Sequence, residues 1–194
     1  MKKFFLMVPW LAMSAVLLWL FLSRFPLDGT AKYFFILDKP HRALDILLPT
    51  QRVTSAGLQS DGWIGQRMFD EPVYSSAHAP GVYDHVDISL EVRTTEPALA
   101  IGLLRDPAKW QVELHPVLKE AEKLSDGWVR VHASFDLPFP QDELKFVLSA
   151  PGLKMHQGQV DVRAVDLRYS RPRLSVSEWW RVMKREIFLI RQRL

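Results

Sequence analysis

Hydrophobic and polar positions follow three patterns along this chain, and each predicts a different element. Residues 4–22 carry no charge. A helix needs about 20 apolar residues to cross a bilayer core, so the run predicts a transmembrane helix. Lys2 and Lys3 precede it, as in the basic flank of a signal sequence. Its exit, Leu20-Phe21-Leu22-Ser23-Arg24-Phe25-Pro26, is bulky and has no small-x-small cut site. The expectation is an uncleaved signal anchor over residues 1–23.

From Gln51 onward the period is two. Val86, Ile88, Leu90 and Val92 alternate with Asp87, Ser89, Glu91 and Arg93. Val129, Val131, Ala133, Phe135 and Leu137 alternate with Arg130, His132, Ser134 and Asp136. Shorter runs at Trp110, Val112 and Leu114 and at Leu144, Phe146 and Leu148 repeat the pattern. Successive strand side chains face opposite sides, so each segment buries one face and wets the other. Val160 and Val162 share one phase, whereas Val165, Leu167 and Tyr169 share the other. One extra residue near Ala164, a β-bulge, reconciles them. Turn sequences such as Ser60-Asp61-Gly62, Arg105-Asp106-Pro107, Ser125-Asp126-Gly127 and Ala150-Pro151-Gly152 separate the segments. Together they predict an all-β fold, an antiparallel jelly-roll β-sandwich of about eight strands over residues 51–170. A helical turn is expected within 115–124.

Two flanking segments complete the organisation. Residues 24–50, punctuated by Pro26, Pro40 and Pro49, form a juxtamembrane connector with an apolar stretch at 33–37. Partial packing on the domain and contact with lipid or a partner are both open for it. In residues 171–194 the spacing becomes three and four: Val176, Trp180, Met183, Ile187, Ile190 and Leu194, with Ser177 as N-cap. This is a basic amphipathic helix. Trp179, Trp180, Met183 and Ile187 with Arg181, Lys184 and Arg185 are its candidates for membrane or partner contact, docking on the sandwich being the alternative.

Charge and composition narrow the function classes. The net charge of +3 is uneven, because the last segment carries +5 and Lys2 and Lys3 add +2, leaving about −4 for the body. A nucleic-acid-binding body would carry the positive charge itself, so no nucleic-acid partner is expected. The chain has no cysteine, which excludes disulfides, thiolate metal sites and a cysteine nucleophile. It contains no Gly-x-Ser-x-Gly elbow, His-Glu-x-x-His or phosphate loop. Asp70-Glu71 and Asp142-Glu143 fall in turns. A protein without enzymatic activity or cofactor is expected, a small hydrolase ranking last.

Residues 125–131 (Ser-Asp-Gly-Trp-Val-Arg-Val), Phe135-Asp136-Leu137, residues 144–148 and the closing run Val160-Asp161-Val162 to Tyr169 resemble the second half of a galactose-binding-like jelly roll. Asp61-Gly62-Trp63-Ile64-Gly65 resembles the opening strand of such domains, which include many carbohydrate-binding modules. The resemblance covers residues 51–170 and implies the fold and, through it, sugar binding. Sugar sites of that kind use exposed rings and neighbouring polar groups. The glycan-binding candidates are therefore Tyr83, Trp110 and Tyr74 with Arg67 and His85, and Tyr83 is expected to be the best exposed. Trp63 and Trp128, near strand starts, read as core anchors. Asp84 and Asp87 are the candidates for a structural calcium of the kind seen in related modules; the other histidines have no ligand spacing.

The expectation that follows is a single-pass protein of a bacterial inner membrane, amino terminus inside and domain periplasmic. Its partners would be the lipid bilayer, a polysaccharide and a protein of a membrane complex. The alternative is a structural or assembly subunit of such a complex with no ligand of its own.

Overall fold

Alternation of buried and wet residues becomes strand pairing wherever two such segments meet. The structure, a computed structural model, describes residues 13–14, 29–59, 62–78, 83–106, 108–137, 143–171 and 184. Eleven strands occur among them: β1 (Thr30–Ile36), β2 (Val53–Leu58), β3 (Ile64–Met68), β4 (Val73–His78), β5 (His85–Thr94), β6 (Ala100–Asp106), β7 (Gln111–Pro116), β8 (Glu122–Lys123), β9 (Val129–Asp136), β10 (Glu143–Ser149) and β11 (Val160–Ser170). One antiparallel sheet has the order β2-β3-β11-β5-β9-β8, with β1 also paired to β11; the other has the order β4-β10-β6-β7. Most connections pass from one sheet to the other, which makes the pair a sandwich of jelly-roll type.

Inner faces of the two sheets form the core. Val86 lies opposite Phe135 and Leu90 opposite Val131 in the larger sheet. Leu144, Phe146 and Leu148 lie beside Val73, Ser75 and Ala77 in the smaller one. All of these are buried. The His115 ring stacks at 4.6 Å on Phe135, and the Tyr169 hydroxyl donates to the His78 carbonyl at 3.3 Å, joining the sheets. Burial pushes the pKa of that hydroxyl up.

The expected bulge is present. Pairing of β11 with β5 shifts between Val162 and Ala164, leaving Arg163 as the extra residue. Val160 and Val162 on one side of the shift, and Val165, Leu167 and Tyr169 on the other, are thereby all buried.

Three features make the expectation more definite. First, part of the connector belongs to the sandwich: residues 30–36 are a strand, the Leu37 amide donates to the Arg163 carbonyl, and Leu37, Leu44 and Leu47 are buried. Tyr33 meets Tyr169 at 5.9 Å. The run Tyr33-Phe34-Phe35-Ile36 is apolar on both faces, so alternation cannot show there. Second, eleven strands replace about eight, because β1 and the two-residue β8 carry little pattern of their own. Third, the helical turn expected within 115–124 is present as a single 3-10 turn, Leu118–Glu120, with β8 beginning after Ala121.

Met13, Ser14 and Lys184 are helical. The rest of the apolar run, with Trp179, Trp180, Arg181, Met183, Arg185 and Ile187, lies outside the described residues. Among the described residues no helix is long and apolar enough to cross a membrane.

Candidate functional site

Two of the aromatic candidates meet on the solvent face of the smaller sheet. Val73 and Ser75 point into the core, so Tyr74 between them points outward. Register places Tyr74, Val147, Gly102 and Leu114 in one row across all four strands. Trp110 closes the β6–β7 turn with φ 49°, in the left-handed region. The turn is tied by the Ala108 amide, which donates to Asp106 Oδ1 at 3.0 Å. The Trp110 and Tyr74 rings lie 5.7 Å apart at an interplanar angle of 65°. Such an edge-to-face contact fixes a ring while leaving much of its surface free, and Trp110 remains 55% exposed.

The floor beside this pair is apolar because Gly102 permits it. A Cβ there would lie 2.5 Å from Val112 Cγ1 and 2.7 Å from Leu114 Cδ2. Both side chains therefore lie down across the glycine. Polar groups border the floor: Ser76 and Lys145 face each other one step along the same sheet face, and Lys145 Nζ is 3.6 Å from Glu143. A rigid ring, an apolar floor and a polar margin form a surface suited to a ligand with one apolar face and hydroxyls at its rim.

Tyr83 is elsewhere, and its expected exposure is overturned. It is 3% exposed, with Tyr169 at 5.8 Å and the Arg171 guanidinium 5.6 Å from its ring centre. The Asp84 amide donates to the Ser170 carbonyl and the Leu137 amide to the Asp84 carbonyl, binding this segment to the ends of β11 and β9. Those bonds draw Tyr83 inward, so it cannot stack on a sugar.

His85, Asp87 and Arg67 sit on the solvent face of the larger sheet, away from the Tyr74–Trp110 pair. His85 Nδ1 is 3.1 Å from Asp136 and its Nε2 is 3.3 Å from Asp87, while the Ser134 hydroxyl donates to Asp87 at 2.6 Å. That hydroxyl bonds a carboxylate rather than the imidazole, so the group does not form a serine–histidine pair. Asp84 is exposed and contributes its backbone to the local bonds. Among the described residues no three His, Asp or Glu side chains converge as metal ligands.

Residues that the alternation hides build a charged layer on this second face. Asp161 accepts from Arg67 Nε at 2.6 Å, from Arg67 Nη2 at 3.0 Å and from Arg93 Nη2 at 3.0 Å. The hydrogen bond to Asp161 raises the Arg67 pKa. Glu91 accepts from Arg163 and Arg130, each at 2.8 Å, and Arg130 reaches Glu122 at 3.3 Å. The Arg163 guanidinium lies 4.5 Å from the Trp128 ring centre and 5.4 Å from that of Trp63. Trp128 is accordingly a buried anchor, as its place at a strand start suggested. Asp161 and Arg163 alternate with Val160, Val162 and Ala164, so the sequence marks them only as wet-face residues. Burial of the pair is a tertiary fact.

No protein-family model matches the chain, and no curated protein matches it. Its structure is similar to the CBM22-1 xylan-binding domain from Paenibacillus barcinonensis Xyn10C, with TM-score 0.47 and 12% identity over 72% of this chain and 94% of that one. It is similar to CsCBM6-3 from Clostridium stercorarium in complex with cellobiose, with TM-score 0.46 and 13% identity over 72% and 94% of the two chains. The insecticidal crystal protein Cry2Aa is similar at TM-score 0.46 and 9% identity, over 75% of this chain and 22% of that one. What this chain binds has to be read from its own residues.

Proposed function

We propose that the sandwich is a glycan-binding module without enzymatic activity, which lays a sugar chain on the solvent face of the smaller sheet. Trp110 is the stacking ring, Tyr74 braces it, and Ser76, Lys145 and Glu143 are the hydroxyl partners. The observation that carries the reading is an exposed indole held edge-on by a second ring beside an apolar floor. Membrane anchorage by residues 1–23 and a periplasmic placement of the domain belong to the same proposal. They rest on the uncharged run and its flanking lysines.

The test is calorimetry and polysaccharide pull-down with the full chain in mild detergent. Trp110→Ala should weaken oligosaccharide binding about thirty-fold, the loss expected of a central aromatic contact, and Tyr74→Ala should weaken it less. Failure to retain any envelope or plant polysaccharide would refute the glycan reading. The assembly-subunit alternative would then gain if a stable partner co-purified and was lost on deleting residues 175–194. A periplasmic reporter fused after Leu194 should be active; a cytoplasmic signal would reverse the topology.

A further inference from the structure

Arg67 and Arg93 carry more charge than their shared partner cancels. Thr54, Arg67, Asp161 and Arg93 form one row across four strands of the larger sheet. Both guanidiniums converge on Asp161, which is 0% exposed, while their own side chains remain 32% and 37% exposed. In the neighbouring group, Glu91 pairs with Arg130 and Arg163, and Glu122 with Arg130. Among the described residues the Asp161 group therefore presents one surplus positive charge to solvent, and its single carboxylate is hidden beneath it.

Orientation is fixed as well. Arg93 donates to Gln59 Oε1 at 2.9 Å and lies 5.0 Å from the Trp128 ring centre. Arg67 commits Nε and Nη2 to Asp161. Among the described residues, Arg67 Nη1 and Arg93 Nε and Nη1 have no protein acceptor. Planar guanidiniums with spare donors recognise carboxylates, because their N–H groups match both oxygens. On the same face Phe34 is exposed and packs 6.0 Å from Trp63, giving an apolar surface beside the charge.

We propose that Arg67 and Arg93 form a receptor for the carboxylate of a uronic-acid residue, on the opposite face of the sandwich from Trp110. The sugar class rests on the glycan reading; the carboxylate receptor itself does not. Asp161 acts as a brace that holds the two guanidiniums together and is not itself reached by the ligand. Binding at this face would make the protein prefer acidic over neutral polysaccharide.

Full-length protein in mild detergent, labelled with 15N in arginine, is titrated with galacturonate, with a galacturonate oligomer, with the methyl ester of that oligomer and with acetate. The Nε signals of Arg67 and Arg93 should shift saturably with galacturonate and its oligomer, and not with the ester. Arg67→Gln should weaken oligomer binding about tenfold, the loss expected for one charge-assisted pair, and leave neutral-sugar binding unchanged. Trp110→Ala should leave the arginine shifts in place. Unmoved arginine signals, undiminished oligomer binding by Arg67→Gln, or a response to acetate equal to that to galacturonate would overturn the proposal. The wild-type titration decides even if the variant folds poorly. If neutral sugars fail to bind while galacturonate still shifts the arginines, the Trp110 platform falls and this receptor stands.

Discussion

Replacing Asp161 with Asn keeps the volume of a fully buried side chain and removes its charge. The carboxylate now accepts three charge-assisted hydrogen bonds, from Arg67 Nε, Arg67 Nη2 and Arg93 Nη2. An amide offers one oxygen and turns an NH2 toward guanidinium donors, so at most two bonds survive and one contact becomes donor against donor. Breaking a buried ion pair costs about 3–5 kcal/mol when the remaining charge stays dry. Here both arginines are about one-third exposed, so water recovers part of their solvation and the cost falls to about 2–3 kcal/mol. Urea unfolding, followed by the fluorescence of Trp63 and Trp128, should show a lower midpoint with an unchanged m value. In a domain of this size the melting temperature should drop by roughly 5–10 °C. Arg67→Met alone should cost less, because Arg93 still pairs with the carboxylate. The double variant should then show coupling of about 1 kcal/mol or more. Stability of Asp161→Asn within about 0.5 kcal/mol of the native protein would refute the brace and reduce the row to a solvated surface.

Three further outcomes follow from the packing. Tyr83→Ala should destabilise by about 3 kcal/mol, as loss of a buried aromatic does, while sugar binding measured by calorimetry stays intact; weakened binding in a folded variant would return Tyr83 to the site. Gly65→Ala would place a Cβ 2.8 Å from the Val162 carbonyl oxygen, so the β3–β11 pairing must open and the urea midpoint should fall by the equivalent of about 1–3 kcal/mol. Hydrogen bonds from Arg105 and then His115 hold the Glu113 carboxyl below its ordinary value. Its contribution is therefore present above the unfolded value, about 4.3, and is lost as pH falls through the lower folded value. Urea midpoints of native protein and Glu113→Gln should accordingly converge between about pH 5 and pH 3; a constant gap would contradict this.

Alternation was enough to place β5, β9, β10 and β11, because each has one wet face and one dry one. The phase slip at Ala164 was legible for the same reason: two runs of valine, leucine and tyrosine cannot share a core unless one residue is extra. Strand β1 was not legible, since an aromatic run that is apolar on both sides has no period to read. Of the candidate site, Trp110 and Tyr74 could be chosen as rings of the right type. Their meeting depended on the crossing from β4 to the β6–β7 turn, 36 residues apart in the chain. Tyr83 looked the best exposed in sequence and was drawn inward by backbone bonds to the ends of β9 and β11.

By itself the sequence determined the periods: an uncharged run, a set of half-wet strands with a bulge, a basic segment with helical spacing, and the lack of known catalytic motifs. Those properties are local, fixed by which neighbours along the chain are apolar. Only the tertiary structure decided which wet-face residues are in fact buried. Asp161, Glu91 and Arg163 occupy polar positions of their strands, yet Arg67 and Arg93 cover Asp161, Arg130 and Arg163 meet Glu91, and Trp63 and Trp128 flank Arg163. Burial of a charge depends on partners brought from distant segments, here Arg67 and Arg93, and no pattern along one strand encodes that.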